Sequence, residues 1–67
     1  MTVHSTLLKL KELHYDQLAP KAREMVDTCL WGLDGMGELR DWEVRDYLTD
    51  KQIEYIKRIG ERYFAKS

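Results

Sequence analysis

Leu48-Thr49-Asp50-Lys51-Gln52-Ile53, continued by Glu54-Tyr55-Ile56-Lys57-Arg58-Ile59-Gly60-Glu61-Arg62-Tyr63-Phe64, is the stretch that decides the fold. Thr49 followed three residues later by Gln52 is a capping box, in which each side chain satisfies the other's orphan backbone N–H. Leu48 before the cap and Ile53 inside the helix have the spacing of a hydrophobic staple. Beyond the cap, Ile53, Ile56, Ile59, Gly60, Tyr63 and Phe64 fall on one side of a 3.6-residue wheel. Gly60 sits inside that apolar stripe. A glycine there costs roughly 1 kcal/mol of helix propensity, which close approach of a second helix would offset.

The outer face of this segment carries Lys51, Glu54, Lys57, Arg58, Glu61 and Arg62. Glu54 with Arg58 and Lys57 with Glu61 are four apart, so part of the face is expected to neutralise itself. Tyr55 and Arg62 share one flank and suit no more than a weak nucleic-acid contact.

Working back toward the N-terminus, Met36 to Tyr47 is ambiguous. The expectation is a short helical turn around 37–42, then an irregular or extended run into the Thr49 cap. Before it, Ala22, Met25, Val26, Cys29, Leu30 and Leu33 recur at helical spacing. Pro20 suits the first turn of that helix, and Asp34-Gly35 suits its end. A first helix is expected from Ser5 or Thr6 to about Gln17, with Val3, Leu7, Leu10, His14 and Leu18 on one face and Leu13 at its edge. The fold class that follows is all-α, a single domain spanning residues 1–67. It is a small three- or four-helix bundle with an irregular segment before the last helix.

With 67 residues, the chain has a small core, and its one cysteine excludes an intrachain disulfide. No run approaches the roughly 18 apolar residues of a membrane span, so an intracellular, cytoplasmic protein with no membrane contact is expected. The net charge of −1 hides a segregation: residues 1–23 sum to +2, residues 24–50 to −6 and residues 51–67 to +3. An acidic middle between basic ends suits oriented protein contact better than a broad phosphate-binding face.

Signatures of catalysis are absent: no nucleophile elbow, P-loop or dinucleotide fingerprint. The two histidines and single cysteine form no metal-ligand spacing, and the acids from Asp34 onward miss the calcium-loop pattern at Met36 and Leu39. No catalytic residue, metal or cofactor is therefore expected. Cys29 belongs to the apolar stripe, where a thiol is inert. His14 reads as a hydrogen-bonded core residue and His4, close to the N-terminus, as solvated. Trp31 lies nearly opposite the Ala22–Cys29–Leu33 stripe, beside Glu24, Asp27 and Thr28. Such a tryptophan is either roofed by another part of the chain or contacts a partner. Residues 36–47 are available as the roof, and Trp42 is expected to pack with Leu39 and Val44.

The stretch from Leu48-Thr49-Asp50 through Gly60-Glu61-Arg62-Tyr63-Phe64, the leucine-rich first helix and Glu24-Met25-Val26-Asp27 together resemble Hha-type proteins. These are small helical bacterial regulators that bind the H-NS nucleoid protein, and Hha-like chains also occur in T-even phages beside a recombination helicase. The chain departs from the pattern in the stretch Gly32 to Tyr47, which the family lacks. The resemblance implies a nucleoid-associated or DNA-repair protein as partner, within the bacterial cytoplasm, and places Glu61 at the family's acidic helix position. Candidate partner-binding residues are Trp31, Asp27, Arg58, Glu61 and Arg62. Alternatives are a direct single-stranded nucleic-acid accessory protein and an acidic nucleic-acid mimic blocking a host protein. A homodimer through the apolar stripes is compatible with each.

Overall fold

A computed structural model describes residues 2–64. The chain is all-helical: α1 (Val3–Lys9), a π turn (Leu10–His14), a 3-10 turn (Tyr15–Gln17), α2 (Pro20–Gly32), a short α3 (Asp41–Val44) and α4 (Asp50–Phe64). Among the described residues there is no strand, and no helix is long and apolar enough to cross a membrane.

The capping box forms as read. Thr49 N–H donates to Gln52 Oε1 at 2.9 Å, and Gln52 N–H donates to Thr49 Oγ1 at 3.2 Å. Leu48, Ile53, Ile56 and Gly60 are buried, while Ile59, Tyr63 and Phe64 are half-buried at the margin. Pro20 opens α2, and Gly35 turns the chain after it with φ +80°, a left-handed conformation that suits glycine. Ala22, Val26, Cys29 and Leu33 of that segment enter the core with Val3, Leu7, Leu10, Leu18 and Val44. These stripes are consumed within one chain, so the residues assigned to a homodimer seam face inward instead.

The first helical run ends at Gln17 as expected but departs from expectation at its start and in its geometry. It starts at Val3, because Thr2 acts as N-cap and its Oγ1 accepts from Ser5 N–H at 3.0 Å. Regular α geometry stops at Lys9, and the chain continues through the π and 3-10 turns. The wider turn delays the later side chains around the axis. Leu13 is left 58% exposed, while Tyr15 swings toward α2. His14 is half-buried rather than core. Its ring stacks on Tyr63 at 4.6 Å and meets Phe64 at 5.2 Å, with Gln17 Oε1 3.0 Å from Nδ1.

Segment 36–47 inverts the expected order. Residues 36–40 are irregular, and the helical turn comes after them, at Asp41–Val44. The N-terminus of α1 explains this, because its orphan N–H groups and nearby side chains bind the irregular part. Val3 N–H donates to Asp41 Oδ1 at 2.8 Å, Thr2 Oγ1 donates to Glu38 Oε2 at 3.3 Å, and Leu39 N–H donates to His4 Nδ1 at 3.0 Å. His4 is thus buried, 3% exposed, and not solvated. Since Nδ1 accepts, the ring proton resides on Nε2. His4→Leu leaves the Leu39 N–H without a partner and is expected to cost about 1–3 kcal/mol. His4→Asn, whose carbonyl can stand in for Nδ1, should lose distinctly less. Thermal melts of the two variants check this.

Two further contacts set the helix directions. Lys11 and Tyr15 reach Asp27, and Arg23 reaches back to Tyr15, so α1 with its extension runs antiparallel to α2. Gly60 faces Thr6 while Tyr63 and Phe64 meet His14, so the C-terminal half of α4 packs against α1 and its extension. The start of α1 and the end of α2 therefore share one end of the bundle, and Val3 and Thr6 there border a groove with the second half of α4. Residues 33–49 cover that end, as the contacts of Glu38, Leu39 and Asp41 with α1 show. So does the approach of Gly32 to Leu48 and the Tyr47 carbonyl.

Candidate functional site

The covered end carries the chain's charge asymmetry. Asp34, Glu38, Asp41, Glu43, Asp46 and Asp50 lie on or beside the covering segment with only Arg40 and Arg45, a net −4 between residues 33 and 50. Four of these carboxylates are engaged by helix starts or neighbours in a limited way: Asp41 and Glu38 bind α1 as above, Glu43 accepts from Arg40 N–H at 2.9 Å, and Asp50 opens α4. None lies within ion-pairing distance of a cation among the described residues, so the end keeps its negative charge.

Trp31 and Trp42 stand out of this end. Trp31, in the last turn of α2, is 82% exposed, and Trp42 on α3 is 66% exposed. The roof expected over Trp31 does not exist, because segment 36–47 is drawn across the start of α1 by His4 and Val3. Trp42 does not pack as expected either. The α3 turn directs Val44 inward, fully buried, and Trp42, two residues earlier, away from the core. Tyr47 is half-exposed nearby in sequence and structure, its carbonyl 4.0 Å from where a side chain on Gly32 would begin. Each of the two tryptophans is left largely to solvent and has no part in the core.

Asp27 lies one turn before Trp31 but is already held from within. Lys11 Nζ donates to Oδ1 at 2.7 Å and Tyr15 OH to Oδ2 at 2.5 Å. Lys11 lies over the Tyr15 ring, 4.1 Å from its centroid, and Arg23 Nε and Nη2 donate to the Tyr15 and Asp16 carbonyls at 3.1 Å. The Lys11 ammonium, then the Tyr15 hydroxyl, hold the Asp27 carboxyl below the usual range. The hydrogen bond to Asp27 pushes the Tyr15 phenol up. A lowered carboxylate stabilises the fold above its unfolded pKa, near 4, and that contribution disappears as pH falls through the lower folded value. Asp27→Asn should therefore be less stable than the native chain at neutral pH. Below about pH 4 the gap closes, as melts across an acid series would show. The raised phenol acts in the opposite sense, contributing below about pH 10 and fading as pH rises through its folded value.

The α4 residues separate into two groups. Glu61 borders a groove of about 310 Å³ between α1 and α4, with Val3, Thr6, Asp41, Lys57, Gly60 and Phe64. Arg58 and Arg62 lie on another side of the helix and border a shallow depression with Tyr55 and Ile59. The structure thus brings Asp27 together with Trp31 and Arg58 with Arg62, and sets Glu61 apart from both. The pairing expected of Glu54 with Arg58 and Lys57 with Glu61 is not formed. Among the described residues the only ion pair within 4.0 Å is Lys11–Asp27.

Cys29 is fully buried, and burial pushes its thiol up to about 11. Among the described residues no three His, Cys, Asp or Glu side chains group as metal ligands. Comparison with protein-family models, characterised proteins and solved structures finds no match.

Proposed function

We propose that this chain is a non-enzymatic binding protein whose partner is a protein that itself works on nucleic acid. The carrying observation is Trp31, 82% exposed at the acidic end of the bundle with Trp42 also unburied. A tryptophan set in negative charge fits a partner surface that offers an apolar pocket with a basic rim, the kind of surface that nucleic-acid-handling proteins carry. Long-range attraction between that rim and the −4 end orients the encounter, and burial of Trp31 then supplies the affinity. The Hha-type resemblance supports the same class, a nucleoid protein or a recombination or repair factor. An acidic surface with protruding rings also suits a groove that otherwise holds a strand, so the binding would compete with nucleic acid for the partner.

Affinity capture from nuclease-treated bacterial lysate, using the native chain, Trp31→Ala and Glu61→Lys as baits, tests this reading. The native bait should retain a nucleic-acid-associated protein that high salt releases. Trp31→Ala should lose it, and Glu61→Lys, set on another face, should lose less. Undiminished capture by both variants sinks the reading.

A further inference from the structure

A flank of α4, reaching from the core margin at Tyr55 out to solvent, has a second pattern that the partner reading leaves unused. Lys51, Tyr55, Arg58 and Arg62 stand at i, i+4, i+7 and i+11, which places them in one stripe along the helix. At 1.5 Å rise per residue the stripe is roughly 16 Å long. Two shallow depressions lie along it. One of about 410 Å³ is lined by Asp50, Lys51, Glu54, Tyr55 and Arg58, and one of about 210 Å³ by Tyr55, Arg58, Ile59 and Arg62. They share Tyr55 and Arg58, so the surface is continuous. Tyr55 is half-buried, and its ring forms part of the wall of both.

The objection raised by the sequence was self-neutralisation. It does not hold geometrically: among the described residues no carboxylate comes within 4.0 Å of Lys51, Arg58 or Arg62. Asp50 and Glu54 do line the N-terminal depression, which biases anion binding toward the C-terminal half, where Arg58, Ile59 and Arg62 adjoin Tyr55 with no acid in the lining.

We propose that this stripe binds single-stranded nucleic acid, with backbone phosphates on Arg58 and Arg62 and a base against Tyr55. Charge complementarity selects a polyanion, and an aromatic side chain next to Arg58 selects one with unpaired rings to stack. A duplex hides its base faces and presents two phosphate lines to a face only one helix wide, beside the acidic end. The site is distinct from the Trp31 surface, so the two proposals stand or fall separately.

The test is fluorescence anisotropy of a labelled oligothymidine of about 12 nucleotides, a length within the range that small single-strand-binding surfaces occupy. At low ionic strength the full chain should give a saturable rise. Two or three neutralised phosphates predict that log K falls with log salt at a slope between about −1.4 and −2.1. Arg58→Gln combined with Arg62→Gln should weaken binding at least tenfold, and Tyr55→Leu by about tenfold. Arg45→Gln, off the stripe, and Trp31→Ala should bind as the native chain does. Circular dichroism melts establish that the stripe variants are folded. The proposal is overturned by the absence of a saturable rise, by stripe variants that bind unchanged, by equal binding of a duplex of the same length, or by equal affinity for polyglutamate. The last outcome would assign the stripe to an acidic protein segment.

Discussion

Gly60→Leu is expected to prevent stable folding, and Gly60→Ala to lower the melting temperature even though alanine is the better helix former. A Cβ at position 60 would lie 2.7 Å from Thr6 Cγ2, closer than two carbons can approach. Thr6 cannot yield easily. It is buried, its β-branched side chain has few rotamers, and its hydroxyl donates to the Thr2 carbonyl at 2.9 Å. Overpacking of this kind costs typically about 1–3 kcal/mol, while the alanine returns up to about 1 kcal/mol of propensity. In a domain of this size each kcal/mol lost lowers the midpoint by roughly 4–8 °C. The decisive comparison is the double variant Gly60→Ala with Thr6→Ser, which removes the clashing methyl and keeps the hydroxyl. It should recover most of the loss. If Gly60→Ala melts at or above the native temperature, the two helices are not in contact at this point.

Trp31→Ala should have the reverse profile. The side chain is 82% exposed, so its removal should change stability by less than about 0.5 kcal/mol, the usual range for surface substitutions. Tryptophan emission from the native chain should be that of rings in water and should shift to the blue when partner is added. If Trp31 is the anchor, its truncation should cost at least about 2 kcal/mol of binding, more than tenfold in Kd, as central interface tryptophans commonly do. Trp42→Ala should give a smaller loss with equal neutrality toward folding. A large fall in melting temperature for Trp31→Ala would mean that the ring is part of the core after all.

The extent to which this architecture was legible follows how local each determinant is. The α4 helix needs only Thr49, Gln52 and the isoleucine spacing, all within one segment, and it formed as read. Pro20, Gly35 and the Ala22–Leu33 stripe were equally local. His4 was missed because its partner is a backbone N–H 35 residues away, which no side-chain pattern reveals. The same long-range bond, with Val3 on Asp41, draws segment 36–47 over α1 and leaves Trp31 bare. The misreading of His4 and that of Trp31 therefore have a single cause. The Gly60 approach was legible as a cost needing compensation, but its partner Thr6 was not, since threonine does not stand out in an apolar stripe. Arg58 and Arg62 were found in the sequence. Their freedom from Glu54 was not, because spacing of four permits an ion pair without requiring one.

The contact of α4 with α1 also constrains the order of assembly. Thr6 and Gly60 are 54 positions apart, and α2 and α3 are made between them. Leu7 and Leu10 are completely buried in a core that also holds Ile53 and Ile56. The apolar face of α1 therefore cannot be closed by its neighbours in sequence alone, and its burial depends on contact between the first and last helices described.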